Sequence, residues 1–247
     1  MERIILIGAT SAIAEQCARL WVADRTLDLV LVGRNRSRLE RLAADLRVRS
    51  PLAQIQVKET DFLQPAAIQA LVTELAAQPI HKVLIAHGSF PDQQACEHDL
   101  ALCQQALNIN ALSPVLFAEA FAAHFAITGQ GILAVIGAAA GDRGHKNNYV
   151  YGAAKSLLNH YMQGLQHRFA GTAVRILLIK PGPTDTPMSS PLKIQGVSLA
   201  SVDQVARQIV RAIDKGKRGV LYTPAEGWLK MRIRQHLPTF LFHRLND

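Results

Sequence analysis

Cysteine is scarce and badly placed for cross-linking. Cys17, Cys96 and Cys103 show no CxxC spacing and cannot all pair internally, which excludes a disulfide framework and a cysteine-built zinc site. No metal is expected. Long apolar runs are also lacking: the stretch 111 to 127 is interrupted by Pro114, Glu119 and His124 and falls short of the ~18 residues of a membrane-spanning helix. The first residues enter an apolar strand-like run without the charged and hydrophobic regions of a secretory leader, so none is expected. Internal repeats, low-complexity tracts and Gly/Ser linkers are absent. These gaps exclude a stapled secreted domain and a repeat array, and they point to a cytoplasmic protein, free or peripheral to the inner face of a membrane.

The chain does carry enough apolar residues for a well-buried core, at 49% of 247 positions. Short β-branched runs recur as strands: Arg3 to Ile7, Asp28 to Val32, Ile55 to Val57, Lys82 to Ala86, Ile132 to Ile136 and Val174 to Ile179. Residues 98 to 126 and 152 to 170 read as helices between them. Near-continuous apolar strands separated by helices predict one α/β unit with a central parallel sheet. That unit is placed at 1–225, with a basic, apolar C-terminal tail at 226–247 packed on it.

Charge is uneven. From Val205 onward nine lysines and arginines face three acids, which accounts for six of the eight net positive charges. In the tail, Trp228, Leu229, Met231, Ile233, Leu237, Phe240, Leu241 and Phe242 alternate with Lys230, Arg232, Arg234 and Arg244. Such a segment suits an anionic lipid surface or a helix packed on the body, and Pro238 prevents one uninterrupted helix. No nucleic-acid-binding motif accompanies the charge, so no nucleic-acid partner is expected.

Asn147 to Lys155, N-N-Y-V-Y-G-A-A-K, places Tyr151 and Lys155 one helical turn apart on a common face. An ammonium beside a phenol favours the phenolate and brings the proton into working range, which suits proton transfer at a carbonyl or alcohol oxygen. The first strand runs into Gly8-Ala9-Thr10-Ser11-Ala12-Ile13-Ala14, a tight turn into a helix. Backbone N–H groups and a helix N-terminus meet there, as a dinucleotide pyrophosphate requires, with Ala12 and Ala14 where glycines are usual. The second strand ends at Gly33-Arg34. An arginine there welcomes a 2′-phosphate where an acid would repel it, so NADP(H) is the expected cofactor. Asp61 is a candidate for the adenine edge or for the N-cap of a helix from Pro65.

This ordered set, with Asn110 and Pro181-Gly182-Pro183-Thr184-Asp185-Thr186, resembles the short-chain dehydrogenase/reductase family over essentially the whole chain. The resemblance implies a single-domain, Rossmann-type, doubly wound parallel sheet with helices on both faces. It makes Tyr151 the proton donor, and Lys155 the group that lowers its pKa and holds the nicotinamide ribose. Asn110 positions Lys155 through a water and a local helix distortion, and Thr186 binds the carboxamide. His87, Gly88, Pro181, Gly182 and Thr184 fall among the cofactor-contacting positions. Family members are commonly dimers or tetramers, so a homo-oligomer is expected. Within the family, V-Y-G-A-A-K, K-P-G-P-T-D-T-P-M and the tail are most similar to the ketoreductase branch that partners decaprenylphosphoryl-ribose epimerase, which implies a small or lipid-linked carbonyl substrate. Two departures stand out. Ala138 occupies the position of the family's active-site serine, and His87 stands where asparagine is usual. The expected activity is therefore NADPH-dependent reduction of a carbonyl, against the alternative of a catalytically impaired cofactor-binding sensor or assembly subunit.

Overall fold

The computed structural model describes residues 1–23, 25–190, 194, 196–224 and 238. Apart from Pro238, the expected tail at 226–247 lies outside them. Seven strands form a single parallel sheet: β1 Glu2–Ile7, β2 Leu27–Gly33, β3 Gln54–Glu59, β4 Lys82–Ile85, β5 Gln130–Ile136, β6 Ala173–Pro181 and β7 Gly219–Thr223. Their order is β3-β2-β1-β4-β5-β6-β7, so the winding reverses between β1 and β4. This is the expected Rossmann-type fold, and such a reversal opens a crevice beyond the strands' carboxyl ends. Registers such as Ile5↔Val30 and Ile5↔Val83 fix the central three strands.

Alternation along the strands divides the core into two layers. Ile4, Leu6, Leu29, Leu31, Leu84 and Leu177 face α1 Ala12–Val22, α2 Arg36–Arg49 and α8 Val202–Asp214. Ile5, Ile7, Val30, Val32, Val83 and Ile176 face α3 Pro65–Leu75, α6 Ser113–Thr128 and α7 Tyr149–Arg168. Trp21, Phe117, Phe121 and Phe125 are fully buried. At roughly 1.5–3 kcal/mol for each large side chain removed from water, these layers supply the main driving force for folding.

The segment read as one helix over 98 to 126 is divided. Helix α4, Gln93–His98, ends at Asp99, which caps α5, Leu100–Leu107, by accepting from the Ala101 and Leu102 N–H groups (2.8 and 3.2 Å). A wider π-type turn, Asn108–Leu112, then leads into α6. Pro114 does not interrupt the run, because it sits in the first turn of α6, where its missing N–H costs little. Leu100–Thr128 is consequently long and apolar enough to cross a membrane, contrary to the sequence expectation. Its phenylalanines pack under the sheet, so here it serves as a core helix. Strand β7 carried no sequence signal, since its residues are half-buried at the sheet edge and do not alternate cleanly.

At the opposite end of the sheet from the crevice, Lys82 Nζ lies 2.7 Å from both Glu2 Oε1 and Asp214 Oδ1, and Arg25 reaches Asp214 Oδ2 at 2.6 Å. Burial pushes the Asp214 carboxyl upward, but Arg25 and Lys82 outweigh it and hold the group below the usual carboxylate range. A depressed carboxylate stabilises the fold above its unfolded pKa, and that contribution is lost as pH falls. Asp214→Asn should therefore lower stability at neutral pH and flatten its decline from about pH 5 downward, measured by urea unfolding across that range. An unchanged slope would remove Asp214 from the acid response.

Candidate active site

A cleft of about 750 Å³ opens over the carboxyl ends of the strands. Its first wall is the turn after β1. Gly8 takes a positive φ of 78°, its N–H and that of Ala9 bond the Val32 carbonyl (2.9 and 3.0 Å), and Ser11 N–H closes the turn on Gly8 O at 3.0 Å. A Cβ on Gly8 would meet the His87 backbone at 2.7 Å, so glycine is required by the approach of the β1 and β4 exits. Ser11 caps α1 by accepting from Ala14 N–H, and Thr10, Ser11, Ala12 and Ile13 line the cleft. Ala14 instead faces the core, where its small side chain lets α1 sit close to the sheet.

Arg34 stands exposed at the end of β2 and lines the cleft as expected. Arg38, which sequence reasoning did not single out, lines it too, and its guanidinium donates to Thr10 O at 3.2 Å. Its signal lay in the arginine-rich run after Gly33. Asp61 is corrected on its candidate capping role. It does not line the cleft, where Phe62 and Leu63 stand instead; its carboxylate turns back to accept from Leu63 N–H at 2.8 Å. Nor does it cap α3, whose N-cap is Gln64.

His87 behaves as a packed loop histidine. Nε2 lies 2.8 Å from Ser113 Oγ, and its ring meets Phe62 and Phe117 edge-on. Burial, reinforced by Lys155 and Arg34, pushes its pKa down to about 3, so it is neutral at physiological pH. Gly88 leaves no room for a side chain, because a Cβ would fall 2.9 Å from Asn110 Oδ1 and 3.6 Å from Lys155 Nζ. Asn110 is fully buried in the π-type turn, the local helix distortion expected of it. Its Oδ1 accepts from Ser89 N–H at 2.9 Å and its Nδ2 donates to Ala106 O at 2.9 Å.

Tyr151 and Lys155 both open from α7 into the cleft. Lys155 Nζ donates to the Ile136 carbonyl at 3.3 Å and lies 5.8 Å from the Tyr151 ring centroid. The expected lowering of the phenol is not what this state shows. Burial pushes Tyr151 up to about 12 and Lys155 down to about 8, because desolvating each charged form outweighs their mutual interaction. Phe90, unmarked in the sequence by any periodicity, packs edge-on against Tyr151 with ring centres 5.1 Å apart and lines the cleft.

The loop after β5 carries Ala138, which is buried and lines the cleft with Ala139 and Ala140. A polar cluster behind it went unforeseen. Asp142 pairs with the buried Lys180 and accepts from Tyr222 Oη at 2.9 Å and Asn159 Nδ2 at 3.3 Å. Pro181, Gly182, Thr184 and Thr186 line the far side. Thr184 donates to Gly182 O at 2.9 Å, and the Thr186 hydroxyl lies 3.0 Å from Ser189 Oγ. No cluster of metal-ligating side chains occurs among the described residues.

Residues 2–195 match the short chain dehydrogenase family model, and the chain belongs to that family of oxidoreductases. It is 31% identical to an uncharacterised oxidoreductase of Mycobacterium tuberculosis, over 98% of this chain and 96% of that one. It is also 31% identical to sulfoacetaldehyde reductase 2 of Chromohalobacter salexigens, over 75% of this chain and 74% of that one. Among solved structures, a short-chain dehydrogenase of Sphingobium yanoikuyae in complex with NADPH superimposes with a TM-score of 0.81 at 21% identity, covering 97% of both chains.

The two perturbed groups give a direct check. In an NMR pH titration of the cofactor-free protein, His87 should show no protonation step between about pH 5 and 8. Lys155 should titrate near 8, well below an ordinary lysine. A His87 transition at its ordinary value would contradict the burial described.

Proposed function

We propose that the protein is an NADPH-dependent reductase that converts a carbonyl into a secondary alcohol. The observation that carries this reading is the cleft itself, which runs continuously from Arg34 and Arg38 past the β1 turn to Tyr151 and Lys155. The residues fit such a cofactor: Arg34 and Arg38 line the cleft beyond β2 and would receive a 2′-phosphate, backbone N–H groups stand at the N-terminus of α1, and the buried His87 Nδ1 has no protein partner. The cofactor, when bound, supplies the hydride.

The chain's own residues do the rest. Tyr151 holds the proton for the nascent alkoxide, and the pKa of about 12 keeps the phenol protonated until that moment. Lys155 would hold the nicotinamide ribose, and its ammonium lies 5.8 Å from the centre of the Tyr151 ring. Asn110 holds the Ser89 backbone in place, and Thr186 with the Pro181-Gly182 turn would hold the nicotinamide end. The similar sulfoacetaldehyde reductase supports the reductive direction. A keto-sugar, free or lipid-linked, remains the proposed substrate class from the sequence resemblance. Exposed Leu112, Leu116 and Leu157 on the outer faces of the π-type turn, α6 and α7 support a homo-oligomer built on those helices.

Ala138 favours a second reading, a catalytically impaired family member that binds the cofactor. Losing one carbonyl-polarising donor costs about 10² to 10³ in rate. The two readings separate by experiment. NADPH should bind more tightly than NADH in calorimetry, and Arg34→Ala with Arg38→Ala should remove about tenfold or more of that preference, as loss of a charge-assisted hydrogen bond does. Equal affinity for the two cofactors in the unaltered protein would reject the assignment.

For catalysis, Tyr151→Phe should abolish NADPH oxidation by aldehyde and ketone panels while leaving NADPH affinity intact, and Ala138→Ser should hold or raise the rate. Turnover by Tyr151→Phe at the unaltered rate would remove Tyr151 from the mechanism. Silence of both the unaltered protein and Ala138→Ser across the panels would favour the impaired reading.

A further inference from the structure

The N-terminus of α7, the helix that carries Tyr151, is not capped from within. Its N-cap, Asn148, has φ −160° and ψ 33° and makes no side-chain bond to the helix. First-turn N–H groups have no partner inside a helix and must find one elsewhere. The Val150 N–H finds it 57 residues away, in the side-chain carbonyl of Gln93 at 3.0 Å, within the protein interior. We infer that Gln93 is a positioning residue: from α4 it supplies the missing cap of α7 and so fixes where the Tyr151 phenol stands. This role rests on the reading of Tyr151 as proton donor.

Three observations support it. Gln93 is buried and held from its other end, where Nε2 donates to Glu97 Oε1 at 3.3 Å, so its carbonyl is pre-aimed. Helix α4 is itself pinned at its start, since Asp92 accepts from Gln94 N–H at 2.9 Å and Ala95 N–H at 3.4 Å. The same short segment also touches the rest of the site, for Ser89 bonds Asn110 and Phe90 lies against Tyr151. Val150 immediately precedes Tyr151, whereas Lys155 lies a turn deeper. Loosening of the first turn would therefore shift the phenol against its ammonium, and displacements of about an ångström cost up to about a hundredfold in rate.

The test uses the full-length protein with Gln93→Leu, which keeps the volume and removes the acceptor. Three quantities are read: NADPH-dependent reduction of phenanthrenequinone, hydrogen exchange at the Val150 amide, and the carbon-13 signal of the Tyr151 hydroxyl-bearing carbon. Four tyrosines are labelled, and the Tyr151 signal is assigned by its loss in Tyr151→Phe. The expected result is a kcat lowered about tenfold or more with KM for NADPH little changed, faster Val150 exchange and a shifted Tyr151 signal. Gln93→Glu combined with Glu97→Gln restores an acceptor for Val150 and should restore all three. If Gln93→Leu does not fold, Gln93→Asn, one methylene shorter, is read in the same way. A folded variant with unaltered kcat and an unmoved Tyr151 signal overturns the role, because a purely structural cap would lower only the melting temperature. If Tyr151→Phe reduces the quinone at the unaltered rate, the proton-donor reading fails on its own; in that case, or if the unaltered protein does not reduce the quinone, the Tyr151 signal with Val150 exchange still decides whether Gln93 sets the position of the phenol.

Discussion

The active centre depends on how closely α7 approaches the loop after β5. A Cβ on Gly137 would fall 2.8 Å from Asn159 Oδ1, and one on Gly141 would fall 2.6 Å from Asn159 Nδ2 and from the Lys155 carbonyl carbon. The loop therefore lies directly on the stripe formed by Tyr151, Lys155 and Asn159 at successive turns of one helix face. Contact this close desolvates Lys155 and lets its ammonium bond the Ile136 carbonyl where that loop begins. The lowered pKa of Lys155, the raised pKa of Tyr151 and the buried position of Ala138 all follow from that approach.

The arrangement is held by polar groups that a purely apolar interface would not need. Asp142 gathers Lys180 from β6, Tyr222 from β7 and Asn159 from α7, tying the loop to three elements at once. A carboxylate taken from water at such a place is costly unless it is paired and fully hydrogen-bonded, and here it is. The other side of the cleft is organised differently. Gly8 and His87 bring the β1 and β4 exits together by backbone contact, and the aromatic rings of Phe62 and Phe117 enclose the imidazole in a neutral state.

The segment after β4 joins the two sides. Gly88 faces Asn110 and Lys155, Ser89 bonds Asn110, Phe90 packs on Tyr151, and Gln93 reaches the start of α7. Ala138, Ala139, Ala140 and Phe90 form an apolar wall of the cleft beside the buried phenol of Tyr151.

The sequence by itself determined the sheet, six of its strands and the pairing of Tyr151 with Lys155, because period-2 and i,i+4 patterns are local and survive without context. It also marked Arg34 and the β1 turn, where residue type and position in the chain suffice. Strand β7 was decided by tertiary packing at the sheet edge, whereas the division at Asp99 and the continuation through Pro114 rest on a local cap and a first-turn proline that periodicity alone does not reveal. Arg38, Gln93 and Asp142 acquire their roles only in the folded chain. Each acts on a partner from 17 to 80 residues away, and no spacing in the sequence records such a contact. The direction of the Tyr151 and Lys155 shifts likewise belongs to the fold, because desolvation depends on everything that surrounds the pair.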